Sequence, residues 1–138
     1  MGAVADLQDL LQSESLVDGA TGWVSKRRRE TDEDEDQVIL TEDGGGGPEM
    51  PADQGIGDEA QGDPAVQVRA RGSTAWNADA TAATVQEIID AIHGKLAVTV
   101  NGTRYHRIRA QTQEPVFAGY DDDGRPSHTA SFLMLRDA

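Results

Sequence analysis

Leu96-Ala-Val-Thr-Val-Asn-Gly-Thr-Arg-Tyr105 is the stretch that decides the fold. Leu96–Val100 is apolar and β-branched, and Asn101-Gly102 follows at once. Both central positions of a type I′ turn need positive φ, which Asn and Gly tolerate, so the pair predicts a two-residue hairpin. On strict alternation the return strand, Tyr105–Ala110, carries Tyr105, Arg107 and Arg109 on one side and His106, Ile108 and Ala110 on the other. Val116–Tyr120 is a third run, and Asp121-Asp-Asp-Gly-Arg-Pro126 is a polar turn. Ser127–Arg136 is a fourth run, with Ala130, Phe132 and Met134 on one face and Ser131, Leu133 and Leu135 on the other. The last third of the chain thus reads as consecutive strands on which the rest must pack.

Upstream, Ala3–Leu11 places Val4, Leu7, Leu10 and Leu11 on one helical face, with Asp6, Gln8 and Asp9 elsewhere. Thr21–Lys26 is a candidate strand with Trp23 inward, and Gln37–Thr41 is a second. Between them Arg27-Arg-Arg29 meets Glu30–Asp36, an exposed charged turn. Residues 42–63 combine Gly44–Gly47, two prolines and many acids with only Met50 and Ile56 as large apolar groups. Such a composition does not offset the entropy of ordering, so a flexible loop is expected, and one this long is often functional or ordered by a partner. Pro64–Arg71 alternates Val66, Val68 and Ala70 against Gln67, Arg69 and Arg71. Ala78–His93 reads as a helix with Asn77 as N-cap and Gly94 as stop. Its stripe is Ala78, Ala82, Val85, Ile89 and Ile92, with Ile88 beside it. The order α, two or three β, α, four β predicts an α+β fold, a small, mostly antiparallel sheet with two helices on one face.

The 138 residues suffice for one domain, 1–138; with 37% apolar residues and only 4% aromatics, the core is small or part of the chain lies outside it. With no cysteine, disulfides, thiolate metal sites and cysteine nucleophiles are excluded. No apolar run approaches the roughly 20 residues of a membrane span. The start of the chain lacks a basic region followed by an apolar one, so a secretory signal is not expected there. All of the net charge of −13 falls in residues 1–63, which hold 17 acids and 4 bases; residues 64–138 hold 8 of each. Duplex DNA is therefore a poor ligand for the whole chain. Asp outnumbers Glu 16 to 9 and Arg outnumbers Lys 10 to 2, a bias shared by proteins of salt-loving hosts and by GC-rich genomes.

Chemistry is scarce. His93, His106 and His128 lack metal-ligand spacing. Asp32-Glu-Asp-Glu-Asp36, with Ile39 and Asp43 downstream, partly copies a calcium loop, but Gln37 stands where the sharp turn needs glycine and no helix precedes it. No serine lies in Gly-x-Ser-x-Gly, and Gly44–Gly47 lacks the Lys-Ser/Thr of a phosphate loop. Neither catalytic residues nor a cofactor are expected. Arg104, Arg107 and Arg109, with Tyr105 among them, form a basic strip. It could stack and hold a nucleic acid, but pairing with acids of a neighbouring strand or subunit is the simpler use.

Several phrases in order resemble a known family: Val38-Ile-Leu-Thr-Glu-Asp-Gly-Gly45, Val66-Gln-Val-Arg-Ala-Arg-Gly72, the helix Val85–His93, Val100-Asn-Gly-Thr-Arg-Tyr105, Pro115-Val-Phe-Ala-Gly-Tyr-Asp121 and Asp123-Gly-Arg-Pro126. From about Gln37 to the end, the chain is similar to the minor capsid, or tail-terminator, proteins of long-tailed phages and archaeal tailed viruses. The acidic insert Pro48–Asp63 and the acid-rich turn 30–36 depart from that pattern. The resemblance implies a ring, commonly a homohexamer, at the head-proximal end of the tail. Such a ring stops polymerisation of the tail tube protein and meets the head–tail connector, with DNA only as passing cargo. It implies no active site, cofactor or membrane partner, and residence in the virion after assembly in the host cytoplasm. The interface expected on these grounds uses the loop 42–63, Arg69, Arg71, Arg104, Arg107, Arg109 and the turn Asp121, Asp122, Asp123 and Arg125. Two other classes compete: an acidic binding or adaptor module, such as a nucleic-acid mimic, suggested by the charge of residues 1–63, and a metal-dependent hydrolase, suggested only by the acid clusters.

Overall fold

The computed structural model describes residues 2–19, 22–27, 35–42, 64–74, 76 and 78–136. The chain runs α1 (Ala3–Ser13), β1 (Val24–Arg27), β2 (Gln37–Glu42), β3 (Ala65–Arg71), α2 (Ala78–Ile92), β4 (Lys95–Val100), β5 (Thr103–Ala110), β6 (Val116–Tyr120) and β7 (Pro126–Arg136). The fold is α+β, as the pattern of elements predicts. The described strands number seven, the upper count that the element order allows, and join in one sheet that is not small, in the order β1-β2-β3-β7-β5-β4 with β6 added to β7. It is also mixed, since β1 and β2 run parallel while the other pairs are antiparallel.

The organising strand is β7. One edge pairs with β3 from Ser127 to Leu133. The other edge is shared end to end, with β6 along Pro126–Thr129 and β5 along Phe132–Arg136. As the alternation predicts, Ala130, Phe132 and Met134 are buried while Ser131, Leu133 and Leu135 are half-buried. With Val38, Leu40, Val66, Val68, Ala70 and Ile108 they form the sheet side of one core. Both helices close it, α1 through Leu7, Leu10 and Leu11 and α2 through Val85, Ile88, Ile89 and Ile92. Each such side chain contributes roughly 1.5–3 kcal/mol by leaving water. On α2 the buried stripe begins at Thr81 and Thr84, while Ala78 and Ala82 are only half-buried. Gly94 ends that helix at φ +87°, and its amide donates to Ile108 O at 2.8 Å, handing the chain to the sheet. The N-cap expected at Asn77 lies outside the described residues, as do residues 28–34 and 43–63.

The β4–β5 hairpin turns on Asn101 (φ +53°) and Gly102 (φ +82°), the positive pair that a type I′ turn requires. Alternation fails farther along it. Ala97 is left-handed at φ +55°, and the β5–β7 register shifts between Tyr105 and Arg107. An extra residue in a strand turns everything beyond it to the opposite face. Tyr105 and Ile108, three apart, therefore both face the core, and Leu96 turns outward at 68% exposure. The assignment of Tyr105 to the side of Arg107 and Arg109 is thus corrected. A second register shift, between Phe117 and Gly119, puts Phe117 and Tyr120 of β6 on one face.

Candidate functional site

Among the charged groups expected at an interface, the structure separates those that hold the fold from those that face solvent. The turn after β6 is built on Asp121. Its Oδ1 accepts the amides of Asp123 and Arg125, both at 2.9 Å, and its Oδ2 accepts Arg125 Nε at 2.9 Å. Arg71 Nη1 lies 4.0 Å from the same oxygen. Burial works to raise the Asp121 carboxyl, but the two amides and the Arg125 guanidinium outweigh it and hold it below the usual carboxylate range. Arg71 and Arg125 are buried. They are internal braces, which corrects their assignment to an exposed interface. Arg71 belongs to a second buried group on the sheet face opposite the helices, with Gln37, Ile39 and Ser127. Asp122 and Asp123 are exposed, Asp123 while paired with Arg125 Nη2 at 2.8 Å.

Arg104, Arg107 and Arg109 do form a strip. They alternate with the core-facing residues of β5, lie on the sheet face away from the helices, and are exposed. Arg69 is half-buried on that same face. Tyr105 is not part of the strip. It is fully buried, and its hydroxyl donates to Asp6 Oδ2 at 2.5 Å. Burial first, then this bond and the Asp6 charge, push the phenol well above its ordinary value. Asp6 is fully buried too, a residue that the helical pattern had placed away from the core face. Asn101 Nδ2 spans Asp6 Oδ1 at 3.0 Å and Asp9 Oδ2 at 2.7 Å, which ties α1 to the tip of the hairpin. The aromatic partner that a nucleic-acid strip would need is thus spent inside the protein.

A surface that the sequence did not single out lies on β6. Val116, Phe117 and Tyr120 are 48, 50 and 59% exposed, and among the described residues the strand pairs with β7 alone. Phe117 packs edge-on against Tyr120 (ring centroids 5.4 Å apart) and at a tilt against His128 (5.2 Å). His128 reaches α2 through a 2.7 Å contact between Nδ1 and Thr81 Oγ1. That hydroxyl already donates to Ala78 O at 2.8 Å, so Nδ1–H is the donor to it. Burial lowers the His128 pKa, and the charge of Asp79 only partly opposes this. The cluster sits on the helix-bearing face of the sheet, beside the start of α2, where Trp76 is also 90% exposed. The legible signal was the spacing Phe117–Tyr120, but strict alternation places those two on opposite faces.

The histidines do not converge. His93 ends α2 and accepts the Ala110 amide at 2.9 Å, His106 sits exposed at the β5 register shift, and His128 is in the aromatic cluster. No group of three or more potential metal ligands occurs among the described residues. Most of the calcium-loop pattern, Asp32–Asp34 and Asp43, lies outside them, as does the glycine run 44–47. No described helix is long and apolar enough to cross a membrane. No protein family, curated protein or solved structure matches this chain.

Proposed function

We propose that this chain is a structural virion protein, a tail terminator that forms a ring at the head-proximal end of a viral tail tube, stops its growth and joins it to the head connector. The observation that carries this is the contact surface without chemistry: an edge strand showing three large apolar side chains, on a domain whose buried polar groups brace the fold. A singly paired strand is a ready place for a neighbour, and apolar patches on small domains mark interaction surfaces. The family reading rests on the resemblance of the ordered phrases from Val38 to Pro126. The partners are further copies of the chain, in a ring commonly of six, then tail tube protein and connector, with DNA passing through. The virion is the expected location.

The test is a capping assay. Purified chain is added to polymerising tube protein, and tube lengths and tube ends are read by electron microscopy. The expected result is shorter tubes carrying a ring at one end. Unchanged lengths with bare ends would refute it. An acidic adaptor or nucleic-acid mimic remains the second reading because the net charge is confined to residues 1–63. Deleting residues 42–63 separates them, since a mimic would lose all partner binding whereas a ring subunit would still fold.

A further inference from the structure

Two exposed patches of complementary chemistry lie on opposite faces of the sheet. The first is Phe117 and Tyr120 on the helix-bearing face, with the exposed acids Asp79 at the start of α2 and Asp122 two residues beyond Tyr120. The second is Arg107 and Arg109 on the other face. Both are exposed, and neither has an ion-pair partner among the described residues. Arginine over an aromatic face gains from the ring quadrupole, and a nearby carboxylate adds to that gain. Aromatic residues and arginine are also the types that interface centres favour.

We propose that the aromatic edge of β6, with Asp79 at the start of α2 and Asp122 in the turn that follows the strand, receives the Arg107/Arg109 strip of β5 from a second copy of this chain. This rests on the self-assembling function proposed above and names the contact that would build it. Because donor and acceptor patches occupy opposite sheet faces, each copy offers one of each. The contact is therefore head-to-tail, and such contacts propagate until they close into a ring or extend as a filament. A two-fold symmetric dimer would use the same patch from both copies and is a different arrangement. Residues 64–138 carry no net charge and yet hold both patches, so attraction between copies does not require the acids of residues 1–63.

The experiment uses two variants of the full chain, Phe117→Ser/Tyr120→Ser and Arg107→Glu/Arg109→Glu, with sedimentation velocity as readout. All four side chains are exposed, so both variants should fold, the aromatic one melting modestly lower because Phe117 packs against His128. The single variants Tyr120→Ser and Arg109→Glu serve if a double variant does not fold. Each double variant alone should self-associate at least about ten-fold more weakly, from roughly one cation–π contact per arginine. Mixed together they retain one intact edge and one intact strip between them. The expected product is a one-to-one heterodimer with nothing larger. If both variants assemble as the wild type does, or the mixture forms no heterodimer, the proposed contact is wrong. Wild-type assembly in that case leaves the ring function standing with another interface, whereas a wild type that stays monomeric overturns both.

Discussion

Tyr105→Phe removes a single oxygen from the fully buried Tyr105–Asp6 pair. A hydrogen bond to a charged group is worth about 1.5–3 kcal/mol, and here its loss also strips a buried carboxylate of one of its two side-chain donors, leaving only Asn101 Nδ2. No methylene is lost and the ring still fills its place, so the cavity term is small. The expected cost is about 2–3 kcal/mol. In a chain of 138 residues this is roughly 3–4 °C of melting temperature per kcal/mol. The assay is urea unfolding of the wild type, Tyr105→Phe, Asp6→Asn and the double variant, which isolates the pairwise term. A coupling of at least about 1.5 kcal/mol is expected. The phenol adds a pH signature. Its folded pKa is raised above the ordinary value of 10.0. The unfolded chain therefore loses this proton first, and stability falls as pH climbs above that value. Tyr105→Phe should lack this alkaline decline. A variant within about 0.5 kcal/mol of wild type, the scatter of ordinary surface changes, or one with an unaltered alkaline limb would refute the assignment.

Other outcomes can be checked alongside. Asp121→Ala leaves buried Arg71 and Arg125 without the carboxylate they share and should cost about 3–5 kcal/mol in chemical unfolding, against under 1 for Asp122→Ala at the exposed tip. Since the folded Asp121 pKa is depressed, its contribution is present above the unfolded value of 3.8 and lost as pH falls through the folded one, so an acid melt should flatten in Asp121→Asn. His128, whose folded pKa is also depressed, should titrate by NMR below its ordinary 6.5. The unfolded chain then protonates first as pH drops, and the His128→Gln variant should lose less stability below that point than wild type. Ala97→Gly, although in a strand, should be neutral or stabilising by up to about 1 kcal/mol, because φ +55° suits glycine and strains a β-carbon.

Local signals carried most of the fold. Asn101-Gly102 specified its own turn, the α2 stripe specified its buried face from Val85 onward, and β7 alternated as written, because each depends on neighbours a few residues apart. What the sequence hid depends on non-local events. Nothing in Thr103–Ala110 announces the extra residue that turns Tyr105 inward, and so the apparent aromatic member of a basic strip became the partner of a buried aspartate. Asp6 sits only about 40° round the helix from Leu10 at 3.6 residues per turn, at the margin of the apolar arc. Whether such a margin is buried is decided by what the hairpin tip brings to it. Arg71 ended an alternating run with its side chain on the outward face, yet the turn that begins at Asp121 folds back to enclose it. Among the described residues of the candidate interface, Glu42, Arg104, Arg107, Arg109, Asp122 and Asp123 are exposed, whereas Phe117 and Tyr120, which alternation treats as ordinary strand residues, form the surface with the largest exposed apolar side chains along β6.

The central claim is that this chain works by touching copies of itself. Sedimentation velocity of the wild-type protein across concentration and salt measures that directly. A discrete closed assembly that persists on dilution, heavier than a dimer, is predicted. A strict monomer under every condition, including in the presence of tube protein, would contradict it.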